Sequence, residues 1–325
     1  EQLFVLELIQ PVSPEPWKDT LESLMVSATN PVRRSILHYA KSVFDDQLIL
    51  DLVNEPFLEA ISVCGQRKMV HAIPALTELL THKDNEIQIA AAGSLILIGE
   101  GSSTQATDLI RNAISSNDPQ IIILGIKYSH HHPDVISNDH IVEFLQHDVS
   151  SIRKAAIEIA TKFPNEEYLP FLIGNLGSPK TGMIARSALS KFDQQMILES
   201  IQILMENPPI TTVLKRGIIS TLATISSEHS QQLLLTYFDP ASLTIYENAV
   251  DSLLKIAQKS PLTKPTKNHI RTSIQFLAKR VYSLYQLAQL VKSKRHTTLI
   301  KDYIQSETQS AIPILIKLGA MDQPG

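Results

Sequence analysis

One motif returns along this chain, and it restricts the fold more than any other feature of the sequence. The segment from Ile73 to Gly99, IPALTELLTHKDNEIQIAAAGSLILIG, carries it most plainly. Pro74 suits the first turn of a helix, where the N–H it lacks has no partner in any case. Leu76, Leu79 and Leu80 follow at helical spacing. Asp84 and Asn85 then supply a turn and an N-cap. From Glu86 a second helix sets Ile87, Ala91, Leu95 and Ile98 on one stripe until Gly99 stops it. Such a helical hairpin is too small to bury its own apolar faces, so it needs neighbours of its own kind.

Those neighbours can be found by spacing. A β-branched or large apolar residue, followed four places later by a mostly small one, occurs at Val32, Phe57, Ile87, Ile121, Ile152, Ile184, Val213 and Ile245. The intervals between them run from 25 to 34 residues. Four places on stand Ile36, Ile61, Ala91, Gly125, Ala156, Ala188, Gly217 and Ala249. Six of these eight are Ala or Gly, which lets a neighbouring helix approach closely. Arg33, Gln88 and Arg153 directly follow three of the anchors. This period marks stacked helical pairs. The expected class is all-α, an α–α superhelix over residues 1–260 continuous with a longer C-terminal helical pair over 261–325.

The segments IPALTELL…DNEIQIAAAGSL, DVSSIRKAAIEIATKF and YLPFLIGNL resemble HEAT repeats, over roughly residues 15 to 258. The units are shorter than is usual for that family and are similar to the compact, armadillo-like variety of many bacterial proteins. A second resemblance rests on the order of features. An LELI helix comes first, then a PW-x-x-T-L start, short units, the stretch LAKRVYSLYQLAQL and a helix containing YIQSETQSAIPILIKLGAMD. This order resembles the soluble HEAT region that bacterial proteins join to an ATP/ADP-translocase-like or major-facilitator-like transporter. That resemblance implies a cytoplasmic, membrane-adjacent module whose terminal long helix and Glu307-bearing helix close the array. It carries over no transport residue, since no transporter helix is present.

Composition narrows the partners. Aromatic residues make up 6% of the chain against 43% apolar, so small and aliphatic side chains do the packing. The single cysteine, Cys64, forms no internal disulfide, suits a reducing compartment and reads as a buried inert thiol. No apolar run is long enough to cross a membrane. Glu1 leads straight into the apolar pattern Leu3, Leu6, Ile9, which reads as a piece cut from a longer polypeptide. The net charge of −4 is unevenly spread: residues 251–325 hold twelve Lys or Arg and four Asp or Glu, giving +8. The first 250 residues therefore carry −12. A basic end on an acidic body points to an anionic partner surface.

Local signals set further expectations. Trp17 is expected to pack between helices, and Pro74 and Pro170 to begin the second helices of their pairs. Ile270, Ile274, Leu277, Val281, Leu284, Ala288 and Val291 form a seam at coiled-coil spacing in a helix over 268–293. A last helix from about Thr297 carries Ile300, Tyr303 and Ile304, and Pro313 is expected to force a break or a new helix.

Motifs that carry chemistry are scarce. His130, His131 and His132, with His140 and His147 beyond them, are the candidate metal ligands. Three consecutive His cannot share one helix face, and neither Cys nor H-E-x-x-H accompanies them, so no metal site and no cofactor is assigned. No phosphate-binding loop and no G-x-S-x-G occurs, and Glu158, Glu166, Glu167 and Glu199 read as solvated helix positions. The basic cluster Arg271, Lys279, Arg280, Lys292, Lys294, Arg295 and Lys301 is the candidate contact for an anionic surface. The expected function is a non-catalytic scaffold or regulatory module. Its partner would be another protein, an adjoining domain of the same polypeptide, or the inner face of a membrane. A solenoid enzyme of the HEAT-type lyase class and a nucleic-acid binder are the alternatives; the acidic repeats disfavour nucleic acid.

Overall fold

A computed structural model of the chain describes residues 2–99, 104–129, 135–206, 210–290 and 297–322. All regular structure among the described residues is helical, as the periodicity requires. Helix α1 (Gln2–Ile9) leads into a 3₁₀ turn at Glu15–Trp17. Five hairpins follow: α2 (Lys18–Ser27) with α3 (Asn30–Ala40), α4 (Asp46–Asn54) with α5 (Leu58–Arg67), α6 (Ile73–Leu79) with α7 (Asn85–Ile98), α8 (Thr104–Ile114) with α9 (Pro119–Ser129), and α10 (Asn138–Gln146) with α11 (Ser150–Lys162). Three more pair α12 (Leu169–Asn175) with α13 (Gly182–Leu189), α14 (Gln194–Met205) with α15 (Thr212–Leu222), and α16 (Glu228–Leu235) with α17 (Leu243–Ala257). The long pair α18 (Lys264–Leu290) and α19 (Thr297–Met321) comes last.

The chain divides into two compact units, Glu1–Phe163 and Pro164–Gly325. The division falls where Pro164 ends a helical run and the Asn165 side chain restarts the chain, accepting a bond from the Glu167 N–H at 3.0 Å. In the first unit α3 packs on α5, α5 on α7, α7 on α9 and α9 on α11, while α4 touches α6. In the second unit α12 meets α14, α14 meets α16 and α16 meets α18, while α15 lies on α17 and α17 on α19. Within each unit, then, every hairpin lends its apolar sides to the next. The long terminal pair belongs to the second unit through α16 and α17.

The eight anchors found by spacing all fall in the first turn or at the N-cap of α3, α5, α7, α9, α11, α13, α15 and α17, the second helices of the hairpins. The residues four places on are buried in every case, Ile36 and Ile61 included. The anchors themselves are less uniform. Val32, Phe57, Ile152 and Ile245 are buried, Ile87, Ile121 and Ile184 are half-buried, and Val213 is exposed.

Helix α7 departs furthest from its expected single stripe. Its residues from Ile89 to Ile96 are all buried, clasped by α5, α6, α8 and α9. The small run Ala90-Ala91-Ala92-Gly93-Ser94 makes this enclosure possible. A methyl group on Gly65 of α5 would come within 2.8 Å of the Ser94 Cα, so the two backbones nearly touch there. Ser94 Oγ uses that closeness to donate to the Ile61 carbonyl at 2.7 Å. On the other side Gly93 leaves room for the ring of Tyr128, from α9, to lie across α7. The Tyr128 hydroxyl thereby reaches Ser62 of α5 at 2.7 Å.

Five local expectations are corrected. Pro74 and Pro170 open α6 and α12, the first helices of their hairpins, where each preceding 3₁₀ turn feeds directly into the helix. Trp17 is 47% exposed, because it belongs to the 3₁₀ turn before α2 and stands at the rim of an open pocket between α1 and α2. Helix α18 begins at Lys264 rather than near 268, since Pro265 falls in its first turn, where no N–H is needed. Pro313 lies inside an unbroken α19. The roughly 3 kcal/mol cost of an interior proline is offset by the burial of Ala311, Ile314 and Leu318 around it. Tyr303, expected on the apolar stripe of α19, faces outward.

The strap across α7 yields a test. Gly93→Ala would set its methyl group 2.1 Å from the Tyr128 ring, and should cost about 1–3 kcal/mol by overpacking. Tyr128→Phe should cost about 0.5–1.5 kcal/mol through the lost hydrogen bond. Urea midpoints measure both, and an unchanged midpoint for Gly93→Ala would mean that the ring moves aside freely.

Candidate functional site

The basic tail is the site the sequence points to most strongly, and the structure divides its cations by role. Arg271 Nε donates to Asp322 Oδ1 at 2.7 Å, tying the start of α18 to the end of α19. Arg280 is half-buried; it pairs with Glu307 and donates to the Pro240 carbonyl at 3.1 Å. These two arginines are struts of the hairpin. Lys279 and Lys301 are exposed and stand clear of those pairs. Lys292, Lys294 and Arg295 lie outside the described residues, as do His130, His131 and His132. Lys317, not singled out by its sequence, bridges α19 to α17 through Glu247 at 2.9 Å and Asp251 at 2.7 Å.

Between α18 and α19 runs an apolar groove of about 510 Å³. Val281, Tyr285 and Ala288 line it from α18, and Ile304, Ile312 and Leu315 from α19. Burial fades along α18: Ile270 and Leu277 are fully covered, while Tyr282 and Tyr285 are each 61% exposed. The coiled-coil seam thus holds the root of the hairpin and leaves its outer half unpartnered on one side.

A second apolar pocket, of about 440 Å³, lies in the first unit between α1 and α2. Leu6, Ile9, Leu21 and Leu24 line it, and Trp17 stands at its rim. Helix α1 buries only Leu6 and exposes Phe4, Val5 and Leu8.

Two polar clefts are built differently. In the first unit an open cleft of about 840 Å³ holds Asp45, Asp46, Arg67 and His71. Arg67 there donates to Asp46 at 2.9 Å and to the Phe44 carbonyl at 2.8 Å, so it caps the turn between α3 and α4. In the second unit a pocket of about 430 Å³ is lined by Lys215, Tyr237 and Asp239. The Asp239 carboxylate accepts from the Ala241 N–H at 2.8 Å. The Tyr237 hydroxyl is buried without a partner among the described residues, and burial pushes its pKa up to about 12. Its oxygen is closed off from the pocket's open space, so it offers no donor there.

The interior ionisable groups are held neutral. Burial pushes the Cys64 thiol up to about 12, far from the thiolate that a nucleophile requires. Burial also raises Tyr128, Tyr168 and Tyr246. His140 is tied to Ser137 Oγ at 2.8 Å and stacks on Phe144, and His147 Nδ1 accepts from the Val149 N–H at 3.0 Å. Among the described residues no three His, Cys, Asp or Glu side chains converge on one point, and no helix is long and apolar enough to cross a membrane.

These features define a class, an all-α stack of helical hairpins carrying an uncovered apolar surface in each unit. No family model matches the chain, and no curated protein is significantly similar to it.

Two measurements bear on the interior. Iodoacetamide at mildly alkaline pH should leave Cys64 unmodified in the native protein and label it fully in denaturant; equal labelling in both would mean that the thiol is accessible. Tyr237→Phe removes a hydroxyl that is buried without a partner, so the variant's urea midpoint should be unchanged or higher, and a clear fall would reveal a hidden partner.

Proposed function

We propose that the chain is a non-catalytic HEAT-type scaffold or regulatory module that binds another protein surface. The reading extends to its being the cytoplasmic, membrane-adjacent portion of a larger transporter-like protein. The observation that carries it is the contrast between interior and surface. Inside, the ionisable groups are neutral and tied into packing. Outside, Phe4, Val5 and Leu8 on α1 and Tyr282, Tyr285 and Ile316 on the terminal hairpin stand exposed. Apolar surface left uncovered in this way is the mark of an association site. The HEAT resemblance supports the same role, since a stack of hairpins presents a rigid array of helices to a partner.

The +8 tail supports the membrane-adjacent part of the reading. Each Lys or Arg near an anionic leaflet contributes about 1 kcal/mol of attraction.

Photoreactive side chains placed in turn at Phe4, Leu8, Tyr282 and Ile316 test protein binding in cells of the source organism. Adducts with one discrete protein are expected, and their absence at all four positions would refute the reading. Separately, vesicles containing phosphatidylserine should sediment the protein, and reversing the charges at Lys292, Lys294 and Arg295 should release it. Identical sedimentation of the two forms would remove the leaflet contact.

A further inference from the structure

We propose that the groove between α18 and α19 receives the apolar face of an acidic amphipathic helix from a partner protein. The proposal rests on the protein-binding reading above and adds the chemistry of the partner and its seat.

The shape comes first. The two helices run antiparallel, fixed by Arg271 against Asp322 at the root and Arg280 against Glu307 higher up. The groove then follows α18 from Ala278 to Ala288, a length of about 15 Å or three turns. Ala278 and Ala288 keep the α18 wall low. Ile304 at the floor is buried, Val281 and Leu315 are half-buried, and Tyr282, Tyr285 and Ile312 rise as the rim. A trough between two helices, recessed at its floor and rimmed by aromatic rings, fits side chains entering at i, i+3, i+4 and i+7 from a third helix.

Charge selects the kind of helix. Between Lys264 and Lys301 the sequence holds nine Lys or Arg and no Asp or Glu. Arg280 and Arg271 are neutralised by Glu307 and Asp322, so the exposed cations beside the groove among the described residues are Lys279, next to Ala278, and Lys301. Lys301 is exposed and shares a stripe with Ile304, Thr308, Ile312 and Leu315, so it stands at the mouth of the trough. Asp302, the next residue, is turned about 100° away from that stripe. A docked helix therefore meets cations at its flanks, and Glu or Asp beside its apolar face gains complementarity while Lys or Arg there is repelled.

The test uses the full chain and two fluorescein-labelled synthetic helices. Each has about eighteen residues with Leu at i, i+3, i+4 and i+7; one carries Glu at the flanking positions and the other Lys. By fluorescence anisotropy the Glu peptide should bind saturably and more weakly as salt is raised, and the Lys peptide should bind at least about tenfold more weakly. Ala288→Trp, which fills the groove, should weaken the Glu peptide by about tenfold or more. Lys301→Glu, at an exposed position that leaves packing untouched, should weaken it by about threefold. Circular dichroism confirms that both variants are folded.

Equal binding of the two peptides overturns the proposal, as does full affinity in both variants. So does self-association of the chain that Ala288→Trp abolishes. If the peptide fails while adducts at Phe4 and Leu8 persist, the groove is lost and the protein-binding reading stands. If adducts vanish at all positions as well, both are lost.

Discussion

A layer of two helices has more apolar surface than it can cover by itself, and everything else in this protein follows from that shortage. The remedy is contact between second helices, α3 on α5, α5 on α7 and α7 on α9 in the first unit, α15 on α17 and α17 on α19 in the second. Such contacts work only where a backbone can come close. Gly65 of α5 against Ser94 of α7 is such a place, where an added methyl group would collide, and Gly217 of α15 meets the end of α12 as closely. Small residues there act as the fit between layers, and fully buried aliphatics such as Ile36, Ile61 and Ile152 supply the stabilisation, about 1.5–3 kcal/mol for each side chain buried.

The same logic explains why charge is spent between hairpins and so little of it is gathered into a site. Arg33 reaches Glu55 and Arg34 reaches Glu59, joining α3 to the hairpin that follows. Lys317 joins α19 to α17. Pairs exposed to this degree each contribute little stability, but they fix the register in which neighbouring layers meet. Where the layers run out, at α1 and at the outer half of α18 and α19, apolar surface remains without a cover. Association is then a continuation of the folding rule by other means.

How much of this was legible in the sequence depends on the physical range of each signal. The anchors were readable because helix periodicity is local, and all eight fall at the starts of second helices. The full enclosure of α7 was written in its Ala-Ala-Ala-Gly-Ser run, but a single apolar stripe is the usual form of a surface helix and hid it. Trp17 and Pro313 were misread because their outcome depends on what lies beside them. A tryptophan is left exposed when the helices beside it leave a pocket open, and an interior proline is carried when the packing around it is strong. The basic tail was visible as charge, yet nothing in the spacing of Arg271 and Arg280 distinguished a strut from a free cation. That distinction needs Asp322 and Glu307, 51 and 27 residues further on.

The bond between Ser62 and Tyr128 reaches past one whole hairpin, since α5 and α9 flank the pair formed by α6 and α7. Linear arrays of repeats are ordinarily described by a one-dimensional lattice in which each repeat senses only its immediate neighbours. Here a next-nearest-neighbour coupling is superimposed on that lattice. Through it, the melting of α8 and α9 is felt at α5 as well as at the adjoining pair, a coupling worth about 0.5–1.5 kcal/mol.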